Sequence, residues 1–557
     1  MGNYSQPHIC QCLSRLSTLR LNSPVTISGR RQKTGPEFAE AVYGLAQGLL
    51  SLGLGSGDVV AVAALNSELY LEWLMAIAFV GGIVAPLNYR WSFEEAVFAM
   101  EAVRPVMLVT DETCDLWSSK LQNFDLPFLR WRVDLESSDS DLFSTRNSLT
   151  TETIKRHSVK NLSMNYSWAP DGAVLICFTS GTTGRPKGVT ISHLALIIQS
   201  LAKIAIVGYD EDDVYLHTAP LCHIGGLSSA ISMLLVGACH VFIPKFEAKL
   251  ALEAVQQHGV TSLITVPAMM ADFISSAREK ETWKPILNVE KILNGGGGLS
   301  MELIHEAVKL FPRAKLLSAY GMTEACSSLT FMTLYDPTLQ TVDNKKFITA
   351  HQQQGVCVGK PAPHVEIKIC FDESSHVGKI LTRGPHVMIR YWEESPPKAP
   401  GSMNQDWLDT GDIGYIDDYG NLCLIGRTKG RIKSGGENIY PEEVEAVLSQ
   451  HPGVLGVVTI GIPDVRLTEM VVACIQLRRD WHWSNRSFEH STGTKKQFLS
   501  HEILQQYCRE KNLARFKIPK KFVLWNKPFP LTTTGKIVRE QVRQEVVSQL
   551  RSLHSNL

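Results

Sequence analysis

An apolar run, Val174 to Phe178, ends abruptly in Thr179-Ser180-Gly181-Thr182-Thr183-Gly184-Arg185-Pro186-Lys187-Gly188. The run has the character of a buried strand, and the tail that of a loop whose amides and hydroxyls can close around phosphate oxygens. Gly181, Gly184 and Gly188 permit close approaches that a side chain would block. Lys187 adds a point charge suited to a polyphosphate. A Walker A loop is excluded, because that pattern needs Gly-Lys-Ser/Thr where this chain has Arg185-Pro186-Lys187-Gly188. A bland surface turn accounts for the glycines but not for the hydroxyls and the lysine beside them.

Strand-like runs alternate with helix-like ones through the first three quarters of the 557 residues, which predicts α/β layers. Val25–Ile27, Val59–Ala64, Val214–Leu216, Val241–Ile243, Ser262–Val266 and Lys315–Tyr320 read as strands, and Leu13–Leu16 has helical spacing. Trp73 to Leu87 is too short for a membrane span and is broken by Gly81-Gly82 and Pro86, so it reads as a buried helix feeding a strand. Lys+Arg and Asp+Glu are both 55, and this balance gives no reason to invoke nucleic acid or an anionic membrane surface. The twelve cysteines are scattered. Cys177, Cys239 and Cys474 sit in apolar runs as small hydrophobes, and Cys10 and Cys12 lack a second pair at zinc spacing. A reducing compartment fits them. Glu393–Asp406 and Arg479–Lys496 read as polar surface insertions. Asp417-Asp418-Tyr419-Gly420-Asn421 signals a hairpin turn, and the domain boundary is expected just after it, giving residues 1–426 and 427–557.

More chemistry lies downstream. Gly295-Gly296-Gly297-Gly298 follows Ile292-Leu293 and could let a flat ring lie against backbone. Tyr320-Gly321-Met322-Thr323-Glu324 offers an aromatic plate, a hydroxyl and a carboxylate at the C-terminal end of a strand, where ligands bind in open α/β sheets. Asp409-Thr410-Gly411-Asp412 supplies a turn acid suited to a ribose diol. Gly426 to Asn438 is basic and glycine-rich, and Thr532-Thr533-Thr534-Gly535-Lys536 repeats the hydroxyl–glycine–lysine chemistry. Each segment alone is explained by a solvated loop; together in one chain they are not.

In this order and spacing the segments resemble the acyl-adenylate-forming superfamily of acyl-CoA ligases, luciferases and nonribosomal adenylation domains, from about Pro24 to Arg539. The resemblance implies a large N-terminal domain of layered βα subdomains and a small mobile α+β C-terminal domain. It implies ATP, Mg²⁺ and coenzyme A as co-substrates and cofactor. Thr179, Ser180, Gly181, Thr182, Thr183, Gly184 and Lys187 would hold the β,γ-phosphates. Gly295, Gly296, Gly297, Gly298 and Tyr320, with Gly321 and Met322, would flank adenine. Thr323 would meet the α-phosphate and Glu324 the metal. Asp412 and Arg427 would bind the ribose, and Lys429 falls at the hinge. Lys433, Gly435, Gly436, Glu437 and Asn438 would border the pantetheine channel, and Lys536 matches the adenylation lysine. Two positions depart from the pattern: Arg390 and Thr468 stand where glycine is usual.

Within the superfamily, Ala85–Trp91, Pro220–Leu227 and Gly321–Ser328 resemble o-succinylbenzoate–CoA ligases, those of plant phylloquinone synthesis most. The resemblance implies that His223 lines the acyl pocket. A second carboxylate on the substrate would need donors deep in that pocket, for which Ser327, Ser328 and Arg90 are named by position. Two other readings stay open: a CoA ligase for a coumarate-like or medium-chain acid, and a silent adenylate-fold binding module. The chain ends Ser555-Asn556-Leu557, one position from the Ser-Lys-Leu peroxisomal address and so an expected contact for an import receptor. The first acidic residue is Glu37, and Arg15, Arg20, Arg30 and Arg31 precede it, which leaves a plastid route open. Gln6 breaks the myristoylation pattern after Met1-Gly2.

Overall fold

The computed structural model describes residues 6–114, 117, 120–121, 124, 126–135, 149–156, 165–179, 186–278, 284–339, 356–371, 376–392, 407–428, 430–434, 437–464, 467–484, 497–511, 513, 515–532 and 536–554. Its contacts divide into two compact units. One comprises Met1–Asn344, Val358–Ile367 and Thr382–Leu408; the other comprises Lys345–Cys357, Lys368–Leu381 and Asp409–Leu557.

The first unit is built on β1 (Pro24–Ser28), β2 (Val59–Ala63), β3 (Ile83–Pro86), β4 (Met107–Thr110), β5 (Trp131–Asp134), β6 (Ala173–Thr179), β7 (Lys187–Ser192), β8 (Val214–His217), β9 (Cys239–Phe242), β10 (Ser262–Thr265), β11 (Lys291–Asn294), β12 (Lys315–Met322), β13 (Ser327–Tyr335) and β14 (Arg390–Tyr391). They pair into two sheets, one in the order β14-β7-β6-β3-β2-β4-β5 and one in the order β13-β12-β11-β10-β8-β9-β1. Within the first, β2, β3, β4 and β5 run parallel, while β6 and β7 form an antiparallel hairpin. In the second, β8 to β12 are parallel and β13 folds back antiparallel on β12. The α/β layering expected from the alternating runs is the observed one, with a large N-terminal domain and a smaller C-terminal one.

Three helices position the site. In α1 (Glu68–Phe79) every residue is buried, and Ser67 Oγ accepts from the Tyr70 amide as its cap. The buried Glu72 is neutralised by Lys33 and, at 3.1 Å, by Lys155. In α2 (His193–Lys203), Ser192 caps the first turn by accepting from the Ala195 amide. Helix α3 (Ile224–Val236) begins at His223 and ends at Gly237, whose φ of 82° only glycine adopts without strain. No helix among the described residues is long and apolar enough to cross a membrane.

The second unit holds the hairpin β15 (Leu408–Ile416) and β16 (Leu422–Arg427), with the Asp417 carboxylate accepting from the amides of Tyr419 and Asn421 across the turn. The expected division after Gly426 lies at the last residue of this hairpin. Beyond it, β17 (Val454–Asp464) and β18 (Thr468–Leu477) form a long antiparallel pair over a core that includes Val444, Leu448, Ile475 and Leu504. Glu393–Asp406 lies outside the described residues. The Arg479–Lys496 stretch is not wholly an insertion: Trp481–Trp483 is a strand paired in parallel with Gln497–Leu499. There the Trp481 indole packs so closely over Gly453 that a Cβ would sit 2.5 Å from the ring. Cys177, Cys239 and Cys474 are buried, and the Cys10 and Cys12 thiols donate to the Met75 and Ile9 carbonyls.

Candidate active site

The β6–β7 hairpin pairs Thr179 with Lys187 in register. Ser180, Gly181, Thr182, Thr183 and Gly184 lie outside the described residues. A Cβ on Gly188 would stand 2.8 Å from Ile176 Cγ2, so glycine keeps the two strands in contact. Strand β14 adds to the edge of β7 with Tyr391 opposite Val189. That placement sets the Tyr391 ring under the exposed Lys187, whose Nζ lies 5.2 Å from the ring centroid. The Tyr391 hydroxyl donates to Glu324 Oε1 at 3.0 Å, and the Met388 amide donates to the Glu324 carbonyl at 2.8 Å. Lys187 and Glu324, far apart in sequence, thus share one tyrosine. No local sequence signal marks Tyr391 for this position, which only the pairing of β14 on β7 creates. Arg390 is accommodated by an ion pair, Nη1 to Asp171 Oδ2 at 2.8 Å.

Strand β11 delivers Gly295–Gly298 at its C-terminal end. The Gly295 amide donates to the Thr265 carbonyl at 2.8 Å, and Asn294 Nδ2 donates to the Gly297 carbonyl at 2.7 Å, which ties the loop down at two points. The next strand, β12, carries half-buried Tyr320 and then Gly321 and Met322. A Cβ at Gly321 would lie 1.6 Å from the Ser327 carbonyl oxygen, so no other residue fits. Thr323–Ala325 make one 3₁₀ turn, followed by Cys326 and Ser327 at φ of 53° and 109°. Left-handed non-glycine residues in succession store strain at a turn that presents Thr323 and Glu324. The Glu324 carboxylate is a hard oxygen donor oriented by Tyr391, a group that fits magnesium.

His223 is half-buried at the start of α3, and its own amide donates to Pro220 at 3.1 Å. The loop before it is pinned by buried Asn66: Oδ1 accepts from the Leu221 amide at 2.8 Å, and Nδ2 donates to the Ala219 carbonyl at 3.1 Å. The neighbouring Ser67 caps α1, which leaves the Asn66 side chain to the loop. Arg90 is exposed and its Nε donates to the neighbouring Tyr89 hydroxyl at 3.1 Å. The Ser328 carbonyl accepts from buried Gln199 at 2.8 Å.

In the second unit, Asp412 and Arg427 face each other across β15 and β16 and are ion-paired, Oδ1 to Nε at 3.0 Å. The carboxylate is buried while the guanidinium is mostly exposed. Lys536 is exposed in a turn in which its amide donates to Thr532 Oγ1 at 3.1 Å and its carbonyl accepts from the Thr532 amide at 2.7 Å. Lys433 and Asn438 are backbone partners in a short antiparallel pair, as are Ser434 and Glu437. Lys429, Gly435 and Gly436 lie outside the described residues.

Layered βα sheets in a large unit, with Tyr320, Thr323 and Glu324 at a strand end, and a smaller C-terminal unit define the fold class of the acyl-CoA ligases. The chain belongs to the AMP-binding enzyme family, whose model matches residues 18–392, and the model of the AMP-binding enzyme C-terminal domain matches residues 443–536. It is 58% identical over 564 residues, spanning 100% of both chains, to the chloroplastic/peroxisomal 2-succinylbenzoate–CoA ligase of Arabidopsis thaliana. It is 30% identical over 525 residues, 92% of each chain, to the indoleacetate–CoA ligase of Aromatoleum aromaticum. Among solved structures it resembles the o-succinylbenzoate CoA synthetase of Bacillus subtilis in complex with the acyl-adenylate intermediate OSB-AMP. That match has a TM-score of 0.74 at 26% identity and covers 97% of this chain and 98% of that one.

Proposed function

We propose that this protein is an AMP-forming acid–thiol ligase that adenylates o-succinylbenzoate with ATP and transfers the acyl group to coenzyme A, releasing pyrophosphate and AMP. The observation that carries the reading is 58% identity along the full chain to a plant ligase of that activity. Lys187, Glu324, Asp412, Arg427 and Lys536 are all present, which speaks against a silent binding module.

The chemistry begins with an anion approaching an anion: the substrate carboxylate attacks the α-phosphate. Cations must neutralise both and hold them in line. Thr179, the hydroxyl–glycine segment and Lys187 take the β,γ-phosphates, and Thr323 the α-phosphate. Glu324 would hold magnesium, which supplies charge neutralisation on the phosphates when bound. Gly295–Gly298 and Tyr320 flank adenine, and Asp412 and Arg427 hold the ribose hydroxyls. Lys536 neutralises the carboxylate–phosphate encounter. Residues 427–557 then turn about Lys429, withdrawing Lys536 and bringing Gly435-Gly436-Glu437-Asn438 to the thiol path. His223 lines the acyl pocket near the reacting carboxylate.

The plant relative is named chloroplastic/peroxisomal, and the same two addresses are assigned to this protein. The Ser555-Asn556-Leu557 terminus, outside the described residues, is the proposed contact for a peroxisomal import receptor.

A panel of acids assayed for CoA-dependent AMP release tests the reading. o-Succinylbenzoate should exceed benzoate, coumarate and fatty acids by at least about tenfold in kcat/KM, roughly 1.4 kcal/mol. Indoleacetate belongs in the panel because a relative at 30% identity is named for it. A mono-acid that proves the better substrate would overturn the o-succinylbenzoate assignment and leave the ligase class standing.

A further inference from the structure

Lys203 ends α2 and is wholly buried, with no exposed surface. Among the described residues no carboxylate pairs with it. Its Nζ donates to the hydroxyls of Ser228 at 2.6 Å and Ser229 at 3.3 Å, both on α3 and both fully buried. Those hydroxyls are themselves spent as donors, Ser228 Oγ to the Ile224 carbonyl at 2.7 Å and Ser229 Oγ to the Gly225 carbonyl at 2.8 Å. The serine oxygens therefore turn lone pairs toward the ammonium and offer it dipoles, not a counter-charge. The thiol that interacts with it, Cys326, lies in the strained turn that follows Thr323 and Glu324, and burial pushes it up to about 12, so it is not an anion either.

A buried ammonium without a counter-ion is a costly thing to keep, and burial pushes Lys203 down to about 7 as the local measure of that cost. A methionine or leucine would fill the space between α2 and α3 without it. The position is not random within the fold. Helix α3 starts at His223, the residue proposed to line the acyl pocket near the reacting carboxylate, and Ser228 lies about 7.5 Å further along the same axis. The chain between the two carboxyl groups of o-succinylbenzoate can cover that reach. With the succinyl carboxylate at the α-phosphate, a ring carboxylate lying along α3 would come to Ser228, Ser229 and Lys203.

We infer that Lys203, presented by Ser228 and Ser229, is the specificity-determining cation that receives the second carboxylate of the substrate. Building the counter-charge into the substrate explains why the pocket carries none of its own. It also makes selectivity a matter of what is left unpaired: an acid without the ring carboxylate gives the buried Lys203 no counter-charge and gains nothing from it. The inference rests on the o-succinylbenzoate reading, and it replaces Ser327, Ser328 and Arg90 as the source of the deep donor. Arg90 is exposed and engaged with Tyr89, and the Ser327 and Ser328 hydroxyls, 3.5 Å apart, bring no charge to meet a carboxylate.

The test compares o-succinylbenzoate with 4-oxo-4-phenylbutanoate, the same acid without the ring carboxylate, on the full-length enzyme. In Lys203→Met, kcat/KM for o-succinylbenzoate should fall at least about 100-fold, mainly through KM, while that for the mono-acid stays within about threefold or rises. Lys203→Gln should give the same split through a different side chain, and Lys203→Arg should retain the preference for the diacid. Equal losses on both acids would reduce Lys203 to a structural tie between α2 and α3 and overturn the inference, as would unchanged o-succinylbenzoate kinetics. A wild-type enzyme that prefers the mono-acid would instead overturn the substrate reading beneath it, a result visible before any variant is made.

Discussion

Tyr391 donates its hydroxyl to Glu324 Oε1 at 3.0 Å across 67 residues of sequence. The same ring carries Lys187 over its face. One aromatic side chain on a two-residue strand thus fixes the spacing between the proposed metal carboxylate and the proposed phosphate lysine. Tyr391→Phe deletes the hydrogen bond and keeps the ring under Lys187. Partners that orient a metal-binding carboxylate are typically worth 10–100-fold in affinity or activity, so adenylation should fall about tenfold with a raised magnesium requirement. Pyrophosphate exchange measured across a magnesium titration reads both effects. A uniform loss at every magnesium concentration would assign the tyrosine to Lys187 alone.

Lys536→Ala should abolish adenylation while sparing thioester formation from supplied acyl-adenylate. Its charge is useful only while the carboxylate approaches the α-phosphate, and the Lys536 amide and carbonyl that bond to Thr532 belong to its backbone, which the substitution keeps. Single-turnover assays of the two half-reactions separate the steps. Equal loss in both would contradict the proposed confinement of Lys536 to the adenylation step.

Much of this architecture is legible in the chain because each strand is an apolar run stopped by glycine, serine or asparagine. Val59–Ala63, Ala173–Thr179 and Lys315–Met322 fall where those runs do. The nucleotide segments are legible for the same reason, each being a loop of unusual chemistry at a strand end. The rest depends on packing between distant segments. Lys203 closes the amphipathic stretch His193-Leu194-Ala195-Leu196-Ile197-Ile198-Gln199-Ser200-Leu201-Ala202-Lys203, where a lysine in the last turn reads as a solvated charge at a helix C-terminus. Only the crossing of α2 on α3 turns it inward. Asn66 shows the same limit: locally a cap, in space the clamp on the loop before His223.

Gly321→Ala should be among the most damaging single-methyl changes in the large domain. The added carbon would stand 1.6 Å from the Ser327 oxygen, which is backbone and cannot turn aside. Forcing β12 and β13 apart should cost about 3 kcal/mol or more, against the about 1 kcal/mol of an average substitution. Urea unfolding of the variant measures it. A shift within a few tenths of a kcal/mol would mean that the turn at Cys326 and Ser327 relaxes freely.

Thr468 has a φ of 69° at the start of β18, a conformation that favours glycine. A β-branched residue held left-handed costs roughly 1–2 kcal/mol, and the strand pairing around Asp464 keeps it there. Thr468→Gly should stabilise the small domain by about 0.5–1 kcal/mol once the extra chain entropy of glycine in the unfolded state is set against the relief. Denaturant unfolding followed at Trp481 and Trp525 reports on that domain. A destabilised variant would show that the threonine is not strained.

Lys203 also makes a prediction in pH. Its folded pKa, about 7, lies below the ordinary lysine value of 10.5, so between these the unfolded chain holds a proton that the fold does not. Stability from this group is therefore fully present above about 10.5 and is lost as pH falls through about 7. The groups beside it are the Ser228 and Ser229 hydroxyls, the Cys326 thiol pushed up to about 12, and the Tyr215 phenol near Ser229, also raised by burial. Both titrating neighbours remain neutral between pH 7 and pH 9. Over that interval the Tm of the wild-type enzyme should gain on that of Lys203→Met, because only the wild type sheds the buried charge. Binding o-succinylbenzoate should reverse the effect, since its ring carboxylate favours the ammonium form and draws a proton from solution. Calorimetric titration at pH 8 in buffers of different ionisation enthalpy should therefore show proton uptake for wild type and none for Lys203→Met. Equal proton uptake in both would place the titrating group elsewhere in the pocket.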